Sequence, residues 1–415
     1  MLKKIFRSTT IFYILFTLST MVVFAQKYNF HNYTTQDGLA NNLVIDLLQD
    51  KSGRIWISTG DGISCYDGTK FKNYNSSNGL INNRVYTIHQ QFDNLFWIGT
   101  EEGITKLEIK EGKEILTSLT KKEVPNVGAV VSVLEIEGKV FFVGKTGVIK
   151  LDGKNFSLIP NLPVGAQMRF RCSYKDLAGN LWLGSSQGLI KLDLKSYQHV
   201  VYDNKDGILT DDLIRGIYQD NVGDFWLTFQ ESGILRVSFQ NQIITNTQHF
   251  TEKDGLPSNL CFKLLQDVAG NYWATTYNGI VKFSLQRPDN LNQNNRLQIL
   301  QIYQEQNGLI HNNMNPILLD RENNLWFGTH HGLSKLTSEK FLSYDVNTGL
   351  LSNTVYKTIQ DRDGDIWIAT HKGVNLLSNN KVLNLSKFDT ILGNDTGSLF
   401  IDSKGKIWVI QEQYG

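Results

Sequence analysis

The sequence contains little proline and cysteine, and its charge shows no excess of either sign. Six prolines and three cysteines stand among 415 residues, and no cysteines form a Cys-x-x-Cys pair. Three cysteines cannot form a disulfide scaffold, and the spacing predicts no zinc site of that type. The 41 lysines and arginines stand against 40 aspartates and glutamates, a formal net charge of +1. This balance predicts no broad basic surface for nucleic acid.

Long apolar segments are absent after the first 25 residues. Three basic residues within the first seven positions precede an apolar stretch over 11–24, and Ala25 follows it. This order is typical of a signal peptide, here residues 1–25, that is removed before Gln26. The alternative is a membrane anchor, for which the stretch is short, since a span needs about 20 residues. We therefore expect export and a periplasmic location.

Tryptophan recurs along the chain at a nearly constant interval. Most intervals are 41 to 47 residues, and Phe142 divides the one double interval, between Trp97 and Trp182, in a matching local context. The scheme gives nine repeats and includes every tryptophan: Trp56, Trp97, Trp182, Trp226, Trp273, Trp326, Trp367 and Trp408. A period of about 40–45 residues is typical of the four-stranded blade of a β-propeller.

Each repeat carries more than its tryptophan. The first repeat contains, in order, Asp-Gly-Leu at 37–39, an apolar run at 43–48, Asp-x-x-Gly at 50–53, Trp56, Thr-x-x-Gly at 59–62 and Asp-Gly at 67–68. Glycine and aspartate separate four short runs of residues, which predicts four antiparallel strands joined by turns. These strands are here called A to D, and the tryptophan lies on strand B. We expect the tryptophans to pack between blades and not to contact ligand.

The recurrent aspartates allow a second interpretation. Residues 361–365, Asp-Arg-Asp-Gly-Asp, resemble part of a calcium loop. The same place in other repeats keeps only the first carboxylate, for example in the Asp220 and Asp176 turns. A hairpin turn accounts for all of them, so we expect no metal at these positions.

The repeat resembles that of the two-component regulator propeller family. The resemblance rests on Gly-Leu-x-x-Asn, followed by Gln-Asp-x-x-Gly-x-x-Trp-Ile-Gly-Thr-x-x-Gly-Ile. It extends over about 35–415, and 97–100, 326–329 and 367–370 fit closely. The third repeat departs, with Phe142 in place of tryptophan. The resemblance implies an all-β fold of four-stranded antiparallel blades, in the periplasmic sensor region of hybrid two-component histidine kinases, which often detect oligosaccharides and signal by phosphorelay.

The same resemblance suggests a domain organisation. Such receptors usually carry two seven-bladed propellers, an immunoglobulin-like domain, a membrane helix, and kinase and receiver modules. Residues 28–34 resemble the last strand of a repeat and could close a first ring. We therefore expect a seven-bladed propeller over 26–340 and the first blades of a second, truncated propeller over 341–415. Only seven residues follow Trp408, so we expect a longer parent receptor, homodimeric and attached to the membrane through a helix missing here.

Candidate ligand-binding residues lie between the Thr and the Gly of the Thr-x-x-Gly motif, at the B–C loop. These positions vary between repeats while the motif does not, so they are free to contact a ligand such as an oligosaccharide. The candidates are Glu101, Glu102, Gln187, Gln230, Glu231, Tyr277, Asn278, His330, His331, His371 and Lys372. Tyr277 could stack on a sugar ring. The alternative is an ordinary solvated rim, and the histidines do not have the spacing of a metal site.

No set of catalytic residues is evident, and no cofactor motif is present in the sequence. We find no phosphate-binding glycine-rich loop and no nucleophile elbow. The sequence therefore favours a binding module whose enzymatic output belongs to a missing kinase. Two alternatives remain: a propeller enzyme acting on polysaccharide, as a lyase or a glycosidase, and a secreted adhesion or scaffold propeller.

Overall fold

The computed structural model describes residues 27–120, 122–163, 168–203, 213–286, 296–339, 342–378, 381–385 and 396–411. The predicted signal peptide at 1–25 lies outside these ranges. No helix within them has the length and the apolar character that a membrane span needs. The chain divides into two compact units. The ring unit comprises Phe30–Glu305 and Leu309–Thr337, and most of the second unit lies after Ser338.

The described part of the chain begins with two short strands, β1 (Lys27–Tyr28) and β2 (Phe30–Tyr33). Six four-stranded antiparallel sheets follow in the ring unit, each with its strands in chain order. Blade 1 contains β3 (Val44–Gln49), β4 (Ile55–Thr59), β5 (Gly62–Tyr66) and β6 (Phe71–Tyr74), and blade 2 contains β7 (Val85–Phe92), β8 (Leu95–Thr100), β9 (Ile104–Lys110) and β10 (Lys113–Leu119). Blade 3 contains β11 (Val130–Ile136), β12 (Lys139–Gly144), β13 (Gly147–Asp152) and β14 (Asn155–Leu158), and blade 4 contains β15 (Phe170–Lys175), β16 (Leu181–Ser185), β17 (Gly188–Leu192) and β18 (His199–Tyr202). Blade 5 contains β19 (Ile214–Gln219), β20 (Phe225–Phe229), β21 (Ile234–Gln240) and β22 (Ile243–Phe250), and blade 6 contains β23 (Cys261–Gln266), β24 (Tyr272–Thr276), β25 (Gly279–Gln286) and β26 (Arg296–Tyr303).

The seventh sheet of the ring unit joins both ends of that unit. It contains β27 (Met314–Leu319), β28 (Leu325–Thr329) and β29 (Gly332–Leu336), with β2 as its outer strand. Phe30 lies opposite Leu336 in antiparallel register, which confirms the expectation that residues near 28–34 supply a closing strand. Strand A of each blade contacts strand A of the next, and β27 contacts β3. The seven sheets therefore form a closed ring, in which the last blade packs against the first.

The second unit repeats the same design. Its strand β1 pairs with β30 (Leu342–Ser343). An eighth four-stranded sheet follows, and a two-stranded sheet comes last. Their strands are β31 (Val355–Gln360), β32 (Ile366–Thr370), β33 (Gly373–Ser378), β34 (Lys381–Asn384), β35 (Thr396–Ile401) and β36 (Ile407–Gln411). In both units the strand order within the four-stranded sheets is thus that of propeller blades, as expected. The domain limits at 26, 340 and 415 remain predictions.

Short 3-10 helices explain the Asp-Gly-Leu motif that precedes strand A. They span Thr35–Asp37, Ser76–Asn78, Glu252–Asp254, Glu305–Asn307 and Val346–Thr348. At the first helix, the Asp37 carboxylate accepts from the backbone N–H of Thr34 at 2.8 Å and closes a capping box. Gly38 then takes the left-handed conformation, φ 102°, which a glycine adopts at little cost.

Strand B forms the core between neighbouring blades. All five residues of β4, β16, β20, β24 and β28 are buried. Trp226 is fully buried, and its ring lies 4.5 Å from that of Tyr272 in the next blade. The tryptophans are thus packing residues, as the sequence predicts. Phe142, which replaces tryptophan in blade 3, is also fully buried.

The recurrent aspartates do more than close hairpin turns. Asp220 accepts from the backbone N–H of Val222 and Asp224, as a turn aspartate should. The same carboxylate also accepts from the indole Nε1 of Trp226, six residues on, and from the hydroxyl of Tyr272, both at 2.9 Å. Equivalent indole bonds of 2.7–3.0 Å join Asp50–Trp56, Asp176–Trp182, Asp267–Trp273, Asp320–Trp326, Asp361–Trp367 and Asp402–Trp408. Each such aspartate thus satisfies the indole N–H of its tryptophan, which is buried in every case but Trp408.

Candidate functional site

The Thr-x-x-Gly motif fixes a two-residue tip between strands B and C. In blade 1 the Thr59 hydroxyl donates to the carbonyl of Gly62 at 2.8 Å and accepts from the backbone N–H of Asp61 at 3.2 Å. The same pair of bonds recurs at the Thr276 and Thr329 tips. Because backbone and hydroxyl hold these loops, the side chains of their tips are free to vary.

The first residue of each tip lies against the beginning of strand A. Its backbone N–H donates to the carbonyl of the residue immediately before that strand. Three examples are Glu101 to Arg84 at 3.0 Å, Gln230 to Leu213 at 3.1 Å and His330 to Asn313 at 3.1 Å. First tip positions are therefore held beside the innermost strands.

A β-bulge interrupts the pairing of strands A and B in every blade of the ring unit. The pairing shifts immediately after the first residue of strand A, for example between Val44 and Asp46 in blade 1 and between Ile214 and Gly216 in blade 5. The bulged residues are Ile45, Tyr86, Val131, Arg171, Arg215, Phe262 and Asn315. A bulge leaves its extra residue outside the ladder and redirects its side chain.

All seven bulged residues line one pocket in the ring unit. The cavity has a volume of about 280 Å³, close to the lower end of the range of about 300–1,000 Å³ for small-molecule sites. The remaining lining residues are other strand-A residues, residues just before strand A, and His330 from the tip of blade 7. The ring therefore gathers one variable side chain from every blade at the same depth.

In blades 2 and 5 the side chain of the first tip position bonds directly to the bulged residue of the same blade. Arg215 Nη2 donates to Gln230 Oε1 at 2.9 Å. The hydroxyl of Tyr86 donates to the Glu101 carboxylate. Both pairs are 15 residues apart, and the second unit shows the same spacing between Tyr356 and His371, at 3.3 Å.

The eleven candidate residues therefore divide into groups. His330 lines the pocket, and Glu101 and Gln230 bond to residues that line it. Tyr277, the first tip residue of blade 6, is 54% exposed. Of the candidates, His371 and Lys372 belong to the second unit.

The remaining candidates occupy the second tip position. They are exposed: Glu102, Gln187, Glu231, Asn278 and His331. Asn278 donates to the carbonyl of Pro257, and the His331 ring lies 4.0 Å from that of His311. These two side chains are thus engaged by residues that are not among those lining the pocket.

Sequence reasoning missed most of the charged residues in the pocket. Arg84, Arg171, Arg215, Lys263 and Asp46 all line it, and all lie in or beside strand A. The available signal was a charged residue inside or next to a short apolar strand. The sequence indicated the B–C loops as the ligand-binding positions instead, because their variability is visible from a comparison of the repeats.

Burial and nearby charge shape the chemistry of the pocket. Burial raises the pKa of Asp46, although Lys263 and a hydrogen bond with Thr87 oppose the rise. Partial burial, with His311, His331 and Arg215 nearby, lowers the pKa of His330.

The flat side chains of the pocket are paired with cations. The Arg215 guanidinium lies 5.1 Å from the Phe262 ring centroid. The Tyr86 ring has Lys145 at 5.3 Å and Arg84 at 5.7 Å. A polar molecule entering this pocket would therefore meet hydrogen-bond donors, positive charge and aromatic surface together.

The cysteines are buried residues, as expected. Cys65, Cys172 and Cys261 are all buried and free. Burial raises the pKa of the Cys172 thiol, which borders the pocket, to about 11. The reactive species of cysteine is the thiolate, which is scarce at neutral pH when the pKa is this high. No group of three or more His, Cys, Asp and Glu side chains suited to a metal occurs in the described ranges.

Three segments of the chain match a known family, described as the two component regulator propeller. The matches cover residues 38–61, 308–331 and 349–372. Each begins at the glycine before strand A and ends at the second tip residue, so it contains the bulge, the tryptophan and the tip. These three segments are thus two-component regulator propeller repeats, as the sequence predicts.

A curated relative is a histidine kinase. The chain is 42% identical over 60 residues to histidine kinase P4 of Formosa agariphila. The match covers 14% of this chain and 4% of that kinase, so the chain spans only a small part of its relative.

The chain is similar to solved structures to different degrees. Virginiamycin B lyase of Staphylococcus aureus has a TM-score of 0.56 at 16% identity, covering 75% of this chain and 98% of the lyase. The extracellular domain of a putative hybrid two-component system of B. thetaiotaomicron has a TM-score of 0.36 at 16% identity, covering 93% of this chain and 70% of that domain. At these identities the similarity to the lyase shows the fold alone.

Proposed function

We propose that this chain is the ligand-sensing region of a hybrid two-component sensor histidine kinase and that its ring pocket binds an oligosaccharide or one end of it. The repeat family and the short match to a histidine kinase support the first part. One observation carries the second part: all seven blades direct a bulged side chain into a single pocket. Loops and bulges on a rigid scaffold are common places for binding residues.

The pocket suits recognition of a polar ligand. Its seven bulged residues are of six types, among them Ile45, Tyr86 and Arg215, although the backbone around them is repeated. At a position where the backbone is constant and the side chain varies, a substitution can change ligand specificity without disrupting the fold of the blade. First tip residues such as Glu101, Gln230 and Tyr277 would surround the same ligand at the mouth.

Signalling would follow from a difference in affinity between two arrangements of the receptor. A ligand shifts a conformational equilibrium only by binding one state better than another. In this proposal the chain is exported, acts in a homodimer, binds without chemical turnover and passes the change to a kinase module. The enzymatic alternative, a lyase or glycosidase, would instead require that the bound saccharide be cleaved.

A variant that fills the pocket tests the proposed site. Val131→Trp places a large side chain at a bulged, half-buried position, so we expect at least about tenfold weaker binding of any oligosaccharide that the wild type binds. Isothermal titration calorimetry on the full chain, with a panel of plant and algal oligosaccharides, measures it. Val222→Trp, at a hairpin position that is 75% exposed, is the matched control.

Two results would contradict the proposal. Unchanged affinity in Val131→Trp, with native melting behaviour, would place the ligand elsewhere. Release of new reducing ends from a polysaccharide by the wild type would favour an enzyme over a sensor.

A further inference from the structure

The pocket is strongly cationic although the chain is not. Its lining includes Arg84, Arg171, Arg215 and Lys263 and only one carboxylate, that of Asp46. Over the whole chain the two signs are almost equal, 41 against 40. The excess of positive charge is therefore a property of this place in the fold and does not follow from composition.

The cations come from four different blades and converge through the ring. Arg84 immediately precedes strand A of blade 2, Arg171 and Arg215 are bulged residues of blades 4 and 5, and Lys263 follows the bulge of blade 6. Lys263 is near enough to Asp46 to lower the pKa of its carboxyl group. Convergence of like charges is unfavourable, so it marks a place where an opposite charge can bind.

Two of these cations are available to a ligand. Both Arg171 and Lys263 are exposed, and in the described part of the chain neither forms an ion pair within 4 Å. Arg84 is differently placed, because it lies over the Tyr86 ring beside the Glu101 carboxylate. The charge of Arg84 is therefore partly compensated, whereas Arg171 and Lys263 line the cavity without a close ion pair in the described ranges.

Arginine is well suited to planar or tetrahedral oxyanions. Its guanidinium presents a fixed fork of N–H donors that fits carboxylate or sulfate oxygens in pairs, and lysine adds a compact positive charge. The aromatic rings of Tyr86 and Phe262 line the same pocket and offer flat surface for the apolar face of a sugar ring. The combination matches a ligand that carries both rings and negative charge.

We propose that the ring pocket selects acidic oligosaccharides, whose carboxylate or sulfate groups bind Arg171 and Lys263. This inference rests on the proposed function above, because it specifies the class of saccharide bound in the same pocket. Neutral saccharides of the same length would leave these cations without a partner and would bind more weakly.

Matched pairs of probes test the role of charge. Tetragalacturonate is compared with its methyl ester, and a sulfated carrageenan tetramer with its desulfated form, by calorimetry on the full chain at low salt. We expect at least one acidic tetramer to bind about tenfold or more tightly than its neutral counterpart, since about 1.4 kcal/mol corresponds to tenfold. The comparison of carboxylate with sulfate identifies which oxyanion is preferred.

Charge variants locate the effect. Arg171→Gln and Lys263→Gln should each weaken the acidic probe about tenfold and leave the neutral probe unchanged. Asp46→Asn removes the carboxylate from the lining and should strengthen the acidic probe. Lys154→Gln removes a charge from an exposed turn that does not line the pocket, and it should match the wild type.

The outcomes separate this inference from the function on which it rests. Equal binding of charged and neutral tetramers, unchanged by Arg171→Gln, would overturn the inference and leave the sensor proposal intact. If no tetramer binds, charged or neutral, both proposals are wrong. Binding of sodium sulfate alone, without any tetramer, would overturn the saccharide assignment.

Discussion

Arg215 donates a hydrogen bond of 2.9 Å to Gln230, 15 residues further along the same blade. The bond joins a bulged side chain of strand A to a side chain at the tip of the B–C loop. It connects the two sets of variable positions in the repeat, one that lines the pocket and one at the tips of the B–C loops. The tip residue can therefore orient the pocket residue even where it does not line the cavity itself.

Gln230→Ala should weaken ligand binding without unfolding the ring. Without the amide acceptor, the Arg215 guanidinium is held less firmly, and we expect about threefold to tenfold weaker binding of an acidic oligosaccharide. The melting temperature should change little, because Gln230 lies outside the core between blades. Calorimetric titration and thermal melting measure both quantities. Gln187→Ala, an exposed second tip residue, is the control, and equal losses in both variants would exclude a special role for the Arg215 bond.

Trp226→Ala should destabilise the ring unit by about 3–5 kcal/mol, as for other large-to-small core substitutions. Trp226 is fully buried between blades 5 and 6, and its loss also leaves Asp220 without the indole donor. Urea unfolding followed by circular dichroism gives the free energy. Tyr277→Ala, at an exposed aromatic residue, should cost less than about 0.5 kcal/mol. Native stability in Trp226→Ala, with binding lost, would mean that the tryptophan contacts ligand.

The stability of the protein should fall as the pH drops below about 4, and Asp50 should account for part of the fall. Burial alone would raise the pKa of Asp50, but hydrogen bonds from Ser52, Trp56 and Arg54 outweigh it and hold the pKa below its ordinary value. A carboxyl group whose pKa is lower in the folded state stabilises that state above the pKa of the unfolded chain, about 3.9. This contribution is lost as the pH falls through the folded pKa.

The Asp50→Asn variant isolates that contribution. The difference in unfolding free energy between wild type and variant should be largest at neutral pH and should shrink as the pH falls below about 4. Urea unfolding at a series of pH values measures it. A difference that stays constant over this range would show that the charge of Asp50 does not stabilise the fold.

Much of the fold could be predicted from the sequence because blade formation depends on local pattern. The interval between tryptophans, the Asp-x-x-Gly turn before Trp56 and the Thr-x-x-Gly tip together define four strands and their turns. Residues 28–34, which contain β2, resemble the last strand of a repeat but precede the first complete repeat. The sequence therefore indicated that this segment could close the ring. The bond between Asp220 and Trp226 was missed, although both residues recur at fixed spacing, because a turn already explained the aspartate.

The pocket was decided by tertiary structure. Strand alternation assigns each side chain to one face, but a bulge adds a residue outside the ladder, and no residue type in the sequence marks that register shift. The bulged residues include side chains as different as those of Ile45 and Arg171, so they share a structural position and not a chemical character. Ring closure then brings positions more than 250 residues apart, such as Ile45 and Asn315, into one cavity.

The sequence by itself determined the repeat and its buried tryptophans, because these depend on short-range spacing. Only the closed ring decided which side chains meet, because their convergence depends on pairing between distant strands.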